Sequence, residues 1–269
     1  MICPRSLFLF LPVVAFFLES ASGVSEGWMQ SYAAGYEDTN GARAGGSEIM
    51  HLVAHQGVLF AANGYWLDAR WVIPPDQEKQ SAQVLRLDEP GGDWVVDLEL
   101  GKTNGLGLNY MKGNILKSVT FTRDEQGLPL PEPANLLVIS SGANFEGGGA
   151  VSAWVRDDEN GQWHHQLVRH GSSAGEVRWV PRDLEVYQDK VTGRERLYLS
   201  LGNPGIASGV YDPDHPGKIR WSSHLEYPFL TQGHLKTRPL GLVQANGSLI
   251  FSEGGALYRR IDGERPSYE

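Results

Sequence analysis

The sequence predicts an all-β chain assembled from repeated four-stranded antiparallel units, and three observations carry that prediction. The first is a motif written most fully at Ala150 to Trp163, AVSAWVRDDENGQW. An alternating apolar run (Val151, Ala153, Val155) meets a polar turn ending in Asn160-Gly161, and a tryptophan opens the next run; period-two alternation around Asn-Gly is the pattern of a β-hairpin. The second is that the motif returns: Gln83 to Asp88 leads through Glu89-Pro90-Gly91-Gly92 to Trp94, Gly209 to Asp212 leads through Pro213 and Gly217 to Trp221, and Ala256 to Gly263 leads to Tyr268. The third is composition, with Gly 33 and Pro 15 spread along the chain and no helical apolar period sustained outside the N-terminal segment.

The spacing turns these hairpins into an architecture. Trp94, Trp163 and Trp221 are 69 and 58 residues apart and Tyr268 follows 47 later, and four-stranded units of about 40–50 residues carrying loop insertions are the signature of β-propeller blades. A sheet that cannot bury both faces alone packs on its neighbours around an axis. A β-sandwich is the alternative, but it does not require one turn-then-aromatic motif four times. The chain of 269 residues has room for one large all-β domain or two ordinary ones.

Taken in order, residues 1–23 read as a signal peptide: Arg5, an apolar run from Leu7 to Leu18 broken by Pro12, then Ala21-Ser22-Gly23. That run is short for a membrane span and is followed by small residues suited to cleavage; an uncleaved anchor is the alternative. Residues 24–46, rich in small polar residues with Trp28, Tyr32 and Tyr36, form a flexible leader or a closing strand. The propeller occupies 47–269. Its first unit has an inner strand Ile49 to Ala54, a Gln56-Gly57 turn, Val58 to Ala62, the insertion Tyr65 to Ser81, and an outer strand Val95 to Leu100. The second is read with an inner run Leu108 to Met111, a Lys112-Gly113 turn, Ile115 to Thr122, and Leu136 to Ser140. The third runs from Val177 through Leu184 to Tyr187, turns at Thr192-Gly193 and continues Leu197 to Leu201. The fourth has Leu240 to Gln244, an Asn246-Gly247 turn and Ser248 to Ser252. Glu269 falls where the fourth outer strand should begin. Either Trp28 to Ala33 supplies that strand and closes the ring, or the propeller is incomplete at its C-terminal end and the chain is a fragment of a larger one; the reading favours the fragment.

The hairpins Asp157 to Trp163 and Asp214 to Trp221 resemble degenerate Asp-box turns of sialidase-like secreted propellers, in which an acidic residue, a glycine and an aromatic sit at fixed offsets. The resemblance implies a secreted propeller and carries over no catalytic residue, since the Phe/Tyr-Arg-Ile-Pro motif is absent from the sequence.

Charge and cysteine usage narrow the function classes. The net charge is −9, and losing Arg5 with Glu19 leaves it unchanged, which argues against nucleic-acid partners. The single cysteine, Cys3, lies in the leader, so the mature chain offers no thiol chemistry, zinc-cysteine site or disulfide scaffold. The expected location is secreted or extracellular, periplasmic in a bacterium, with no membrane span after cleavage; the oligomeric state is unspecified.

Several short motifs are weighed and set aside. Gly171 to Gly175 fits G-x-S-x-G, but the residues after it read as loop and strand where a nucleophile elbow needs a helix. Gly101-Lys102-Thr103 lacks the glycines of a phosphate loop. Asp158 to Gly161 resembles part of a calcium loop with Arg156 and Leu167 at ligand positions; a structural calcium shared with Asp212 and Asp214 stays open beside a solvated acidic hairpin, and no other cofactor is expected. His51 and His55 lie four apart on one face of a strand, directed to the axis as metal ligands or, more simply, hydrogen-bonded; no third ligand is identifiable. Asn246-Gly247-Ser248 is both a glycosylation sequon and a tight turn.

The site argument comes from aligning the units on Gly57, Gly113, Gly193 and Gly247. Nine residues earlier stand Glu48, Asn104, Leu184 and Arg238, with Arg178, Arg182 and Asp183 as the third unit's equivalents because its turn is longer. Loops leading into innermost strands surround the central depression of a propeller, so polar side chains of mixed charge converge there, as in pockets for polar small molecules. Glu48, Asn104, Arg178, Arg182, Asp183 and Arg238 are therefore the predicted ligand-binding residues, with no catalytic or metal residue assigned. Two readings follow: a binding or scaffold module for an extracellular ligand, a glycan foremost, or an extracellular hydrolase or lyase with Glu48 or Asp183 as acid/base and an arginine holding an anionic substrate.

Overall fold

In the computed structural model residues 30–65, 80–103, 105, 107–145, 148–172, 178–228 and 240–269 are described. All described strands belong to the unit Tyr32–Glu269. A two-stranded ribbon, β1 (Tyr36–Glu37) and β2 (Arg43–Ala44), precedes four antiparallel sheets of four strands. Blade 1 is β3 (Glu48–His55), β4 (Val58–Gly64), β5 (Gln83–Leu87) and β6 (Val95–Glu99), followed by the one-turn helix α1 (Leu100–Thr103). Blade 2 is β7 (Ile115–Arg123), β8 (Pro129–Phe145), β9 (Gly148–Arg156) and β10 (Trp163–Ser172). Blade 3 is β11 (Leu184–Gln188), β12 (Glu195–Ser200), β13 (Gly205–Tyr211) and β14 (Ile219–Pro228), and blade 4 is β15 (Leu242–Ala245), β16 (Ser248–Glu253), β17 (Ala256–Ile261) and β18 (Ser267–Tyr268). Each blade is a meander in chain order, and the first strands lie against one another in the sequence β3, β7, β11, β15. This is a β-propeller arrangement, as the repeats predict.

Local chemistry explains the strands. In β16 the run SLIFSE alternates, burying Leu249, Phe251 and Glu253, the period of a strand with one covered face. By contrast β9, GGAVSAWVR, is buried at every position before Arg156, because blades 1 and 3 cover both of its faces. The turns Gln56-Gly57 and Asn246-Gly247 have φ of +48° and +83°, and +47° and +72°, the double left-handed geometry that suits the twist of a hairpin.

Three apolar cores join successive blades. Phe60, Val84 and Leu98 of blade 1 meet Leu116, Leu137, Ile139 and Trp154 of blade 2. Ile115, Val138 and Val151 of blade 2 meet Leu184, Leu197 and Leu199 of blade 3, and Tyr187, Tyr198 and Tyr227 meet Leu242, Leu249 and Phe251 of blade 4. Glycine permits one close approach: a Cβ at Gly142 would stand 1.9 Å from the Trp179 carbonyl oxygen, so the strand and the connector to blade 3 touch backbone to backbone. A fourth core covers the far face of blade 1, where Ala44, Tyr32 and Tyr36 of the ribbon region pack on Ala61, Leu85 and Trp94.

In blades 2, 3 and 4 the repeated aromatic fastens the blade to the one before it. Trp163 Nε1 donates to Asp97 Oδ2 at 2.8 Å, Trp221 Nε1 to Gln166 Oε1 at 2.7 Å, and Tyr268 OH to Glu226 Oε1 at 3.0 Å. Asp97 and Gln166 each follow their own blade's tryptophan by three residues, and Glu226 follows Trp221 by five, with irregular pairing in β14 absorbing the excess. The turn-then-aromatic motif is thus an inter-blade bolt.

Two expectations need correction. The innermost strand of blade 2 is β7, Ile115–Arg123, not Leu108 to Met111. The latter is the connector returning from blade 1, and it buries Tyr110 against Trp154 with a hydroxyl contact to Ser152 at 2.7 Å. The turn equivalent to Gly57, Gly193 and Gly247 is therefore Asp124 to Gly127, while Gly113 donates its N–H to the Asn63 carbonyl before β7 begins. The other correction concerns the fourth outer strand. Blade 4 uses its own Ser267–Tyr268, whereas Tyr32, within the proposed closing segment Trp28 to Ala33, packs on Trp94 of blade 1. Residues 28–29 and the signal-peptide reading of residues 1–23 lie outside the described residues.

Candidate functional site

The innermost strands all begin on one face, here the leading face, and line the axis as they descend. Glu48 opens β3, and Arg182 and Asp183 stand immediately before β11. Lys112, just ahead of β7, is held beside them by a backbone bridge to Gly64. Burial lowers the Lys112 ammonium below its ordinary value; the Glu48 carboxylate opposes that shift and the Arg182 guanidinium reinforces it. Groups from blade 1, the connector and blade 3 therefore share one electrostatic neighbourhood.

Asp183 has a more fixed role. Its Oδ1 takes the Lys117 ammonium of blade 2 at 2.7 Å and the Leu184 N–H at 2.9 Å, and its Oδ2 accepts from the Leu242 N–H of blade 4 at 3.0 Å. One carboxylate thus ties three blades at their leading ends, with both oxygens occupied. Lys117 also donates to the Leu184 carbonyl at 2.7 Å and approaches Glu185 Oε2 at 3.3 Å. Arg178 lies farther out, its N–H donating to Asn203 Oδ1 at 2.8 Å beside the β12–β13 turn. Asn104 and Arg238 lie outside the described residues, as does Ser173 of the G-x-S-x-G match. The correction at β7 also removes the alignment that selected Asn104.

Below the leading face is an axial cavity of about 610 Å³ lined from all four innermost strands: Val53 of β3, Lys117 to Thr120 of β7, Glu185, Val186 and Gln188 of β11, and Gln244 of β15, with Lys190 and Glu195 at its lower end. Glu195 is again a fastening, accepting the Thr122 and Arg123 N–H groups at 2.6 and 3.0 Å. Lys190 and Gln244 are exposed. The cavity therefore offers ammonium, carboxylate, hydroxyl and amide groups on a frame of fixed strands.

The two histidines on β3 join blades and do not meet at the axis. His51 Nε2 contacts the Asn114 carbonyl at 2.7 Å, and buried His55 contacts Ser118 Oγ at 2.7 Å and Asp158 Oδ2 at 2.8 Å. Asp158 also pairs with Arg156 at 2.9 Å, and Asp212 pairs with Arg220 at 2.9 Å, so these carboxylates hold the protein's own donors. Among the described residues no group of three or more His, Cys, Asp or Glu is placed to hold a metal ion.

No protein-family model matches the chain, and no curated protein matches it. Among solved structures it is similar to the β-propeller domain of Nup133 from Vanderwaltozyma polyspora, with a TM-score of 0.37, 10% identity, and 82% of this chain and 56% of that chain covered. It is also similar to Drosophila Plexin A in complex with Semaphorin 1b, with a TM-score of 0.36, 11% identity, and 78% and 54% covered. The chain thus spans little more than half the length of these two structures.

Sequence reasoning missed Lys112, Lys117, Glu185 and Lys190. A signal existed: Lys117 interrupts the apolar alternation of ILKSVTFTR, and a charged residue inside an innermost strand has only the axis or an adjoining blade to face. Reading that strand as the second of its blade hid the signal.

Proposed function

We propose that this chain is a secreted binding module whose polar, hydroxyl-rich ligand, a glycan, passes Glu48, Lys112 and Arg182 and settles in the axial cavity. The observation that carries the reading is the lining of that cavity. Ser118, Thr120, Gln188 and Gln244 supply both donors and acceptors, and Lys190 and Glu185 supply both signs of charge. Sugars are recognised by such convergent hydrogen-bonding groups on a preformed frame. The fastening of Asp183, Lys117 and Glu195 between blades holds the frame fixed before a ligand arrives, which limits the ordering cost of binding. The leader at residues 1–23 supports export, and with it an extracellular ligand.

The test is a thermal melt against a panel of neutral, amino and uronic oligosaccharides. A ligand that binds only the native state raises the midpoint, by about 2.7 kcal/mol of added stability at a hundredfold excess over Kd. Lys190→Ala with Gln244→Ala should abolish that rise and leave the ligand-free midpoint in place. A panel in which no glycan moves the wild-type midpoint sinks the proposal.

A further inference from the structure

A serine, a histidine and an aspartate from two blades are joined in series. His55 Nδ1 lies 2.7 Å from Ser118 Oγ of β7, and His55 Nε2 lies 2.8 Å from Asp158 Oδ2 in the turn between β9 and β10. A carboxylate only accepts, so Asp158 keeps the proton on Nε2 and leaves the Nδ1 lone pair to accept from the serine hydroxyl. Asp158 is itself anchored, by Gln56 Nε2 at 2.9 Å on Oδ2 and by Arg156 Nη1 at 2.9 Å on Oδ1. The imidazole is 3% exposed and meets the Phe60 ring edge to face, whereas Ser118 is exposed and lines the axial cavity. A buried base therefore holds a hydroxyl that an entering molecule can touch.

We propose that Ser118 is a nucleophile activated by His55 and Asp158, and that the axial cavity hydrolyses acyl esters small enough to enter it. Such a constellation is defined by geometry and roles. The ring presents Nδ1 to the serine and Nε2 to the carboxylate, the reverse of the commoner arrangement, and either nitrogen can act as base while the other stays protonated. As Ser118 Oγ bonds to the ester carbonyl carbon, its proton passes to Nδ1. The ester C–O bond then breaks, and the leaving alkoxide takes that proton. Water repeats the exchange: its proton goes to Nδ1, its oxygen bonds to the acyl carbon, the bond to Oγ breaks, and the proton returns to Ser118 as the carboxylic acid departs. Strand β7 pairs only with β8, so alternate N–H groups on its free edge face the axis. These and the Lys190 ammonium in the same lining are the donors available to the oxyanion.

The test gives the full chain p-nitrophenyl acetate and, separately, a fluorophosphonate, which leaves its phosphonyl group on an activated serine. Wild type should release p-nitrophenolate faster than buffer, and peptide mass spectrometry should find the phosphonyl group on Ser118. Ser118→Ala should lose both with an unchanged circular-dichroism spectrum, since the hydroxyl is exposed. Asp158→Asn no longer holds the proton on Nε2 and should cut turnover on the order of 10⁴-fold. His51→Gln alters a contact to the Asn114 carbonyl that does not involve Ser118, and should keep wild-type turnover. Wild-type turnover at the buffer rate, an unlabelled Ser118, or turnover that persists in Ser118→Ala overturns the proposal. Because p-nitrophenyl acetate carries no sugar, a labelled Ser118 with no glycan shift in the melt removes the glycan reading alone, and a glycan shift with an unlabelled Ser118 removes the esterase alone.

Discussion

Blades 2 and 3 meet through an aliphatic core, whereas blades 3 and 4 meet through aromatic rings around a buried cation. In the first interface Leu197, Leu199 and Leu201 pack with Val138, Val151 and Ile115. In the second, Arg260 is 5% exposed and is held by Asp189 at 2.6 Å, Glu226 at 3.0 Å and Asp262 at 2.5 Å. Its guanidinium also lies 5.9 and 5.8 Å from the ring centres of Tyr187 and Tyr198. One repeat scheme therefore tolerates two kinds of interface. Dispersion and water exclusion hold the aliphatic one with little dependence on pH. The ionic one holds only while its carboxylates are charged, because a buried cation needs compensation.

The largest effect should come from breaking the ionic side. Arg260→Met leaves Asp189, Glu226 and Asp262 without their cation, and removing one partner of a buried pair costs about 3–5 kcal/mol; urea unfolding followed by tyrosine and tryptophan fluorescence would read it.

A pH series sharpens the contrast. Burial raises Asp189, but the Arg260 guanidinium and the N–H groups of Thr192, Gly263 and Val191 outweigh it and hold the carboxyl well below its usual range. A depressed folded pKa gives stability that is complete above the unfolded value, about 3.9 for aspartate, and is lost as pH falls through the folded value. In Arg260→Met the same protonation relieves repulsion, so the gap in urea midpoint between wild type and this variant should narrow below about pH 4. Leu199→Ala, in the aliphatic core, should cost about 3 kcal/mol with a gap that stays constant across the series. A constant gap for Arg260→Met would show that the ionic interface does not depend on its carboxylate charges.

The smallest expected effect tests the bolt common to both interfaces. Trp221→Phe keeps a ring over the sheet and removes only the indole N–H to Gln166, worth about 1 kcal/mol; differential unfolding of the variant against wild type would measure it.

Much of the blade pattern was legible in the chain because hairpins are local. Asn246-Gly247 and Gln56-Gly57 specify their turns by φ alone, and Trp163 and Trp221 mark outer strands because each follows a polar turn. The error at Leu108 to Met111 has a physical source: a buried connector alternates like a strand, and Lys112-Gly113 has the composition of a hairpin turn. Only the hydrogen bonds of β7 to β8 distinguish them. The candidate site was less legible. Glu48, Arg182 and Asp183 were placed near the leading ends by register, but whether a carboxylate is free or fastened depends on neighbours from other blades.

The sequence by itself determined the all-β class, the tight turns at Gln56-Gly57 and Asn246-Gly247, the period of the blades and the position of each aromatic bolt, since these follow from backbone preference and alternation within a few residues. Only the tertiary structure decided that His55 reaches Asp158, 103 residues away, that Asp183 binds three blades together, and that the ribbon region covers the far face of blade 1. Those outcomes depend on which sheets lie side by side, and a contact between sheets leaves no periodic trace in either strand alone.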